Sequence, residues 1–299
     1  MFSKLFIVCL LLLPAVSYCR AASTPAHSVG INLKFENAEL LSAAEKDQIT
    51  KLLQQESAEI EDKPTPENSS AWADEAAERV REAYQDRGYF EVEVATAVLT
   101  VPKARQGDRV EIAVKVLQSG KRYRLRDIHW SHATVFSEPR LASLMPIHPG
   151  EVFGRAKIAK GIENVRRLYG SRGYINMTCF PKASIDEEHG TITLDMDVDE
   201  DEVFILGGVV FSGLTEDQLR RALEIFAPLR GRPYNNASIE NIYKQLQPIL
   251  PPCADLGGEH GLQLSTDDYA HTVFLFYDFE ECADQWFNSK VEVDEAGKY

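Results

Sequence analysis

The hydrophobic positions of this chain fall into helical and strand-like rhythms, and one order of rhythms comes round three times. Ile158, Ile162, Val165, Leu168 and Tyr169 recur at the spacing of one helix face. Moved back by 85 residues, the stripe falls on Ala73, Ala77, Val80, Ala83 and Tyr84. Moved forward by 81, it falls on Ile239, Tyr243, Leu246, Ile249 and Leu250. Two of the stripes end in one phrase, Tyr84-Gln-Asp-Arg-Gly88-Tyr89 and Tyr169-Gly-Ser-Arg-Gly173-Tyr174. Agreement over a helix and the turn beside it, at a near-constant period, identifies an internal repeat.

The other elements follow in one order around each stripe. An opening strand is predicted over 31–35, 125–130 and 205–211. A first helix follows over 43–55, 138–144 and 216–226, the last N-capped by Thr215 with Glu216 and Asp217 in its first turn. The striped helix is the second. Trp72 starts its first copy as a core residue, and Asn236 is the expected N-cap of its third. Gly88 and Gly173 stand where the helix stops, because glycine accepts positive φ without a Cβ penalty. Two strands close each unit, with alternation clear over 90–94 and 191–198. The fold class is α+β: three tandem β-α-α-β-β units, each a three-stranded mixed sheet with two helices on one face and the other face solvated. The units are expected over 28–119, 120–201 and 202–282, with junctions too short to leave much hinge freedom, so that the chain forms a curved rod.

Composition narrows the classes. Of 299 residues, 32 are Lys or Arg and 46 Asp or Glu, a net charge of −14. No basic face is available for nucleic acid, and an anionic bilayer repels such a chain. Lys4 precedes an apolar run over 5–16, too short to span a membrane, and the small-residue pattern Cys19-Arg20-Ala21 follows. Residues 1–21 are read as a secretory signal peptide; bulky Tyr18 argues against a lipoprotein cysteine at Cys19. Export permits a disulfide among the remaining Cys179, Cys253 and Cys282. Cys253 and Cys282 flank the closing strands of the third unit and are the expected pair, against the alternative of two free thiols. Cys179 shares strand parity with Ile175 and Met177 and is expected as a small buried core residue. The seven histidines have no metal-ligand spacing, and no nucleophile elbow or P-loop occurs. The acidic run 199–202 lacks the spaced oxygens of a calcium loop and reads as a solvated turn. No catalytic residue, metal or cofactor is expected. Residues 283–299, with Trp286 and Phe287, read as an acidic tail.

The middle unit carries a distinctive set of residues: 128–130, Gly150-Glu-Val-Phe153, the stripe from Ile158, Gly173-Tyr174 and Val198-Asp-Glu200. This resembles the POTRA (polypeptide-transport-associated) family. The first unit has Gly88-Tyr89 but Pro64-Thr-Pro66 in place of the G-x-x-F turn. The third has Gly213 and Gly231-Arg-Pro-Tyr234 but Pro251-Pro252-Cys253 in place of Gly-Tyr. The resemblance spans about 28–282. It implies an exported, non-enzymatic periplasmic arm associated with the outer membrane. Its partners would be unfolded or nascent outer-membrane or secreted polypeptides, envelope proteins, or a separate outer-membrane barrel, with no nucleic acid or small-molecule substrate. The 17 residues after Cys282 leave no room for barrel strands. The alternative is a structural or regulatory envelope component that binds one fixed folded partner.

The resemblance also implies that the third strand of each sheet is central, leaving the second strand as an open edge over 90–99, 175–183 and 261–265. A client strand could pair there with little sequence demand. The candidate contact residues are Phe90, Val92, Val94, Ile175, Met177, Thr178, Leu262 and Leu264, with Glu91, Glu93 and Lys182 as charges that would guard the edges. Tyr89 and Tyr174 are expected to pack between helix and sheet, and Trp130 between the first two units.

Overall fold

The computed structural model of the chain describes residues 30–59, 69–100, 109–251, 254, 256 and 262–280. The first unit consists of β1 (Gly30–Glu36), α1 (Ala43–Glu59), α2 (Ser69–Gln85), β2 (Glu93–Thr100) and β3 (Arg109–Gln118). The second consists of β4 (Arg124–Ser131), α3 (Glu138–Ala142), α4 (Arg155–Gly170), β5 (Thr178–Asp186) and β6 (Thr191–Asp199). The third consists of β7 (Ile205–Ser212), α5 (Glu216–Phe226), α6 (Asn236–Leu246), β8 (Gln263–Asp267) and β9 (Thr272–Asp278). Three separate sheets result, in the orders β1-β3-β2, β4-β6-β5 and β7-β9-β8. The first strand of each runs parallel to the central one and the second antiparallel. Parallel pairing needs a long crossover, which the helix pair supplies.

Alternation along each central strand decides what the helices cover. Val110, Ile112, Val114 and Val116 are buried, as are Ile192, Leu194, Met196 and Val198, and Val273, Leu275 and Tyr277. Each set packs with the stripe of its own second helix, giving three cores. Burying one such side chain contributes roughly 1.5–3 kcal/mol. Trp72 is buried in the first core, and Tyr89 and Tyr174 lie edge-on to Tyr84 and Tyr169 at 6.2 and 5.9 Å. Cys179 is buried in the second core, where loss of solvation pushes its thiol up to about 12.

Three local expectations are corrected. Asn235, with extended backbone, caps α6 through its side chain on the Ala237 N–H at 2.9 Å, and Asn236 is already helical. Ile249 and Leu250 are buried but lie in the turn beyond α6, just ahead of Pro251, which has no N–H to carry a helix on. Trp130 packs against the core of its own unit, because its strand neighbour is Met196 of the central strand. Thr215 caps α5 as expected, in a capping box with Gln218.

Candidate functional site: free sheet edges and the joints beside them

The Gly-Tyr phrase does more than end a helix. Gly88 and Gly173 adopt φ of 89° and 95°. Their carbonyls then accept hydrogen bonds from the next unit, Gly88 from the Tyr123 N–H at 2.8 Å and Gly173 from the Phe204 N–H at 2.9 Å. The Tyr123 and Phe204 carbonyls in turn accept from Phe153 and Tyr234, the aromatic ends of the G-x-x-[FY] turns, at 3.1 and 2.8 Å. Two joints are thus built on one hydrogen-bond chain. Side chains reinforce them. Asp86 accepts from the Ala156 N–H at 2.6 Å at the start of α4, Arg155 pairs with Glu82 at 2.7 Å, and Asn235 donates to the Ser171 carbonyl at 3.0 Å.

The residue after each Gly-Tyr crosses the joint. Phe90 packs against the second core and meets Phe153 edge-on at 4.7 Å, and Ile175 packs against the third core. The edge strands therefore begin later than the alternation suggests, at Glu93, Thr178 and Gln263. Of the eight candidate contact residues, Phe90 and Ile175 sit in joints, Val92 and Met177 are buried in their own cores, and Leu262 packs against the third core before β8. Val94, Thr178 and Leu264 lie on edge strands, Leu264 at 47% exposure. Glu91 is taken up by the first joint, accepting from the Tyr123 hydroxyl at 2.8 Å. Lys182 pairs with Asp197 at 2.7 Å across the outer face. Cys253, Cys282, residues 1–21, expected as a signal peptide, and the tail with Trp286 and Phe287 lie outside the described residues.

The two kinds of edge differ. The outer edge of β4 is partly covered: Leu125 donates to the Glu151 carbonyl at 2.9 Å and accepts from the Gly150 N–H at 2.7 Å. On β7, Leu206 donates to Arg232 at 2.9 Å and accepts from Gly231 at 2.8 Å. On β1, the Gln54 amide donates to the Ile31 carbonyl at 2.8 Å. Among the described residues, no other backbone segment pairs with the outer edges of β2, β5 or β8. Of these, β2 carries two register irregularities and β8 has five residues. The nine residues of β5 pair with β6 in unbroken register.

Pro181 fixes which groups β5 offers. Proline is tolerated in an edge strand with its nitrogen turned away from the ladder. Cys179, Ala183 and Ile185 share its parity and so turn N–H and C=O outward, with one donor missing at Pro181 itself. Beside this edge lies a small apolar cavity that opens to solvent, lined by Phe90, Phe153, Ile158, Pro181, Ala183 and Leu194, with Arg155 and Gln85 also on its wall. Among the described residues, no cluster of three His, Cys, Asp or Glu could hold a metal ion.

The acidic junction is not merely a solvated turn. Glu200 accepts from the Thr134 hydroxyl, from the Thr134 and Val135 N–H groups at 2.8 and 2.9 Å, and from the Tyr169 hydroxyl at 2.6 Å. Burial works to raise its pKa, but the four hydrogen bonds outweigh it and hold the carboxyl below its ordinary range. Folding thus favours the carboxylate. The stabilisation is complete above the unfolded pKa and drains away as pH falls through the folded one. Glu200→Ala is expected to cost about 2 kcal/mol at pH 7. The deficit should shrink below about pH 4, as read from urea unfolding at several pH values.

Comparison with known proteins agrees with this geometry. Residues 123–201 match the family model described as "POTRA: Surface antigen variable number repeat". The outer membrane protein assembly factor BamA of Buchnera aphidicola is 24% identical over 166 residues, which take in 54% of this chain and 26% of that protein's length. The chain thus spans about a quarter of that relative. The crystal structure of Haemophilus influenzae BamA POTRA3-5 superposes with a TM-score of 0.55 at 18% identity, covering 84% of this chain and 95% of that one. The fold is that of consecutive POTRA units. Among the described residues, no helix is long and apolar enough to cross a membrane.

Proposed function

We propose that this protein is a periplasmic polypeptide-binding arm acting in outer-membrane protein assembly or polypeptide transport, and that it holds an extended client segment along the free edge of β5. The observation that carries the reading is the meeting of that edge with the apolar cavity. Backbone groups of Cys179, Ala183 and Ile185 offer a ladder indifferent to client sequence, while the cavity takes an apolar side chain of the same segment. Main-chain pairing gives affinity, and the cavity selects for apolar residues at alternate positions, the pattern of membrane-barrel strands. The POTRA match over the same unit and the assembly factor among its relatives support the role. Guarding of the edge falls to Pro181, which removes one donor and makes pairing with a second copy less continuous.

A photoreactive amino acid at Phe180, which is 57% exposed on this strand, tests the proposal in cells. Crosslinks to several outer-membrane polypeptides, competed by an excess of unfolded barrel protein, are the expected result. A single stoichiometric folded partner, or no product, would refute it.

A further inference from the structure

The sheet faces turned away from the helices are not alike. In the first sheet, Lys34 stands opposite Ala113 and Asn32 opposite Glu111. The same positions of the second hold His129 opposite Asp195 and Asp127 opposite Thr193. In the third they hold Val210 opposite Phe276 and Gly208 opposite Phe274. Val210 is 52% exposed and Phe276 39%, and none of Val210, Phe274 and Phe276 belongs to the third core. The Phe274 ring reaches over β7, where a Cβ at Gly207 would stand 2.8 Å from it. Asp267 and Asp278 flank the apolar centre, and strands β7, β8 and β9 contain no lysine or arginine.

An apolar centre on the face away from the helices, set in a polar margin, is the pattern of a patch that something covers. The helices of the third unit cover only the opposite face. We infer that the outer face of the third sheet docks an amphipathic helix of a partner protein whose apolar stripe is flanked by lysine or arginine. The charge argument selects this occupant. A second copy would bring Asp267 and Asp278 of both chains to one interface, and an anionic lipid surface would meet the same acids. The surface lies on a different sheet from the β5 edge, so it stands or falls independently of client binding there.

The test is a titration of the isotope-labelled full chain with a synthetic helical peptide of about 18 residues, leucine on one face and lysine along its flanks, and with the same peptide carrying glutamate for lysine. The lysine peptide is expected to bind, to shift the resonances of Val210, Phe274 and Phe276, and to weaken with salt. Phe276→Asp and Val210→Lys, each checked for an unchanged circular dichroism spectrum, should each weaken binding at least tenfold, and the glutamate peptide should not bind. The inference is overturned if the lysine peptide does not bind, if its shifts fall elsewhere, if both folded variants bind as wild type does, or if the glutamate peptide binds equally well. A dimer in sedimentation that Phe276→Asp converts to monomer would instead assign the face to a second copy.

Discussion

Gly173→Ala is expected to destabilise the chain by about 3 kcal/mol, a large share of a typical domain's stability. Two costs combine. Alanine at a φ of 95° pays the left-handed penalty of about 1–2 kcal/mol. Its Cβ would also stand 2.8 Å from the Phe204 carbonyl oxygen, a backbone atom that cannot swing aside without breaking the joint. Gly150→Ala separates the two costs. Gly150 has a φ of 88°, but nothing lies within 4 Å of a Cβ there. It should lose only the conformational part, about 1 kcal/mol. Urea unfolding followed by circular dichroism compares them, and equal losses would remove the joint from the account. Gly88→Ala should behave as Gly173→Ala does, since its Cβ would meet the Tyr123 carbonyl oxygen at the same 2.8 Å.

Ala183→Pro is expected to weaken client binding about tenfold while leaving the fold intact, as expected for loss of a single backbone hydrogen bond. Ala183 shares the parity of Pro181, so its N–H points away from β6 and no ladder bond is lost. The preceding Lys182 already has the extended backbone that a following proline requires. The neighbouring Lys182→Pro has the opposite parity. It should break the β5–β6 ladder and lower stability instead. Affinity for an unfolded barrel polypeptide, measured by fluorescence anisotropy beside a thermal melt, distinguishes the two. If Ala183→Pro bound as wild type does, the β5 edge would not be the site.

The element order, the fold class and the helix stripes were legible because helix and strand periods differ and because the unit repeats. Strand boundaries were less so. Phe90-Glu-Val-Glu-Val94 alternates perfectly, yet Phe90 belongs to the joint, because alternation reports that a residue is buried and not in which core. The same ambiguity hid the role of Ile175. The G-x-x-[FY] turns were visible as motifs, but their bonding to the edges of β4 and β7 depends on contacts between distant residues that spacing does not encode. Glu200 read as one acid in a solvated run, since nothing local announces that Thr134, Val135 and Tyr169 converge on it. Two local signals do bear on the edge and the outer face. A proline inside an alternating run, as at Pro181, marks an edge strand. The apolar residues at both parities of β9, Phe274 and Phe276 beside Val273 and Leu275, mark a sheet with an apolar centre on each face.

Amide hydrogen exchange of the chain with and without an unfolded outer-membrane polypeptide tests the central claim most directly. Binding by strand addition should slow exchange at the Cys179, Ala183 and Ile185 amides, the outward donors of β5, and leave Leu125 and Leu206, already bonded to their own turns, unchanged. Unaltered exchange along β5 under saturating client, or new protection confined to β4 or β7, would contradict it.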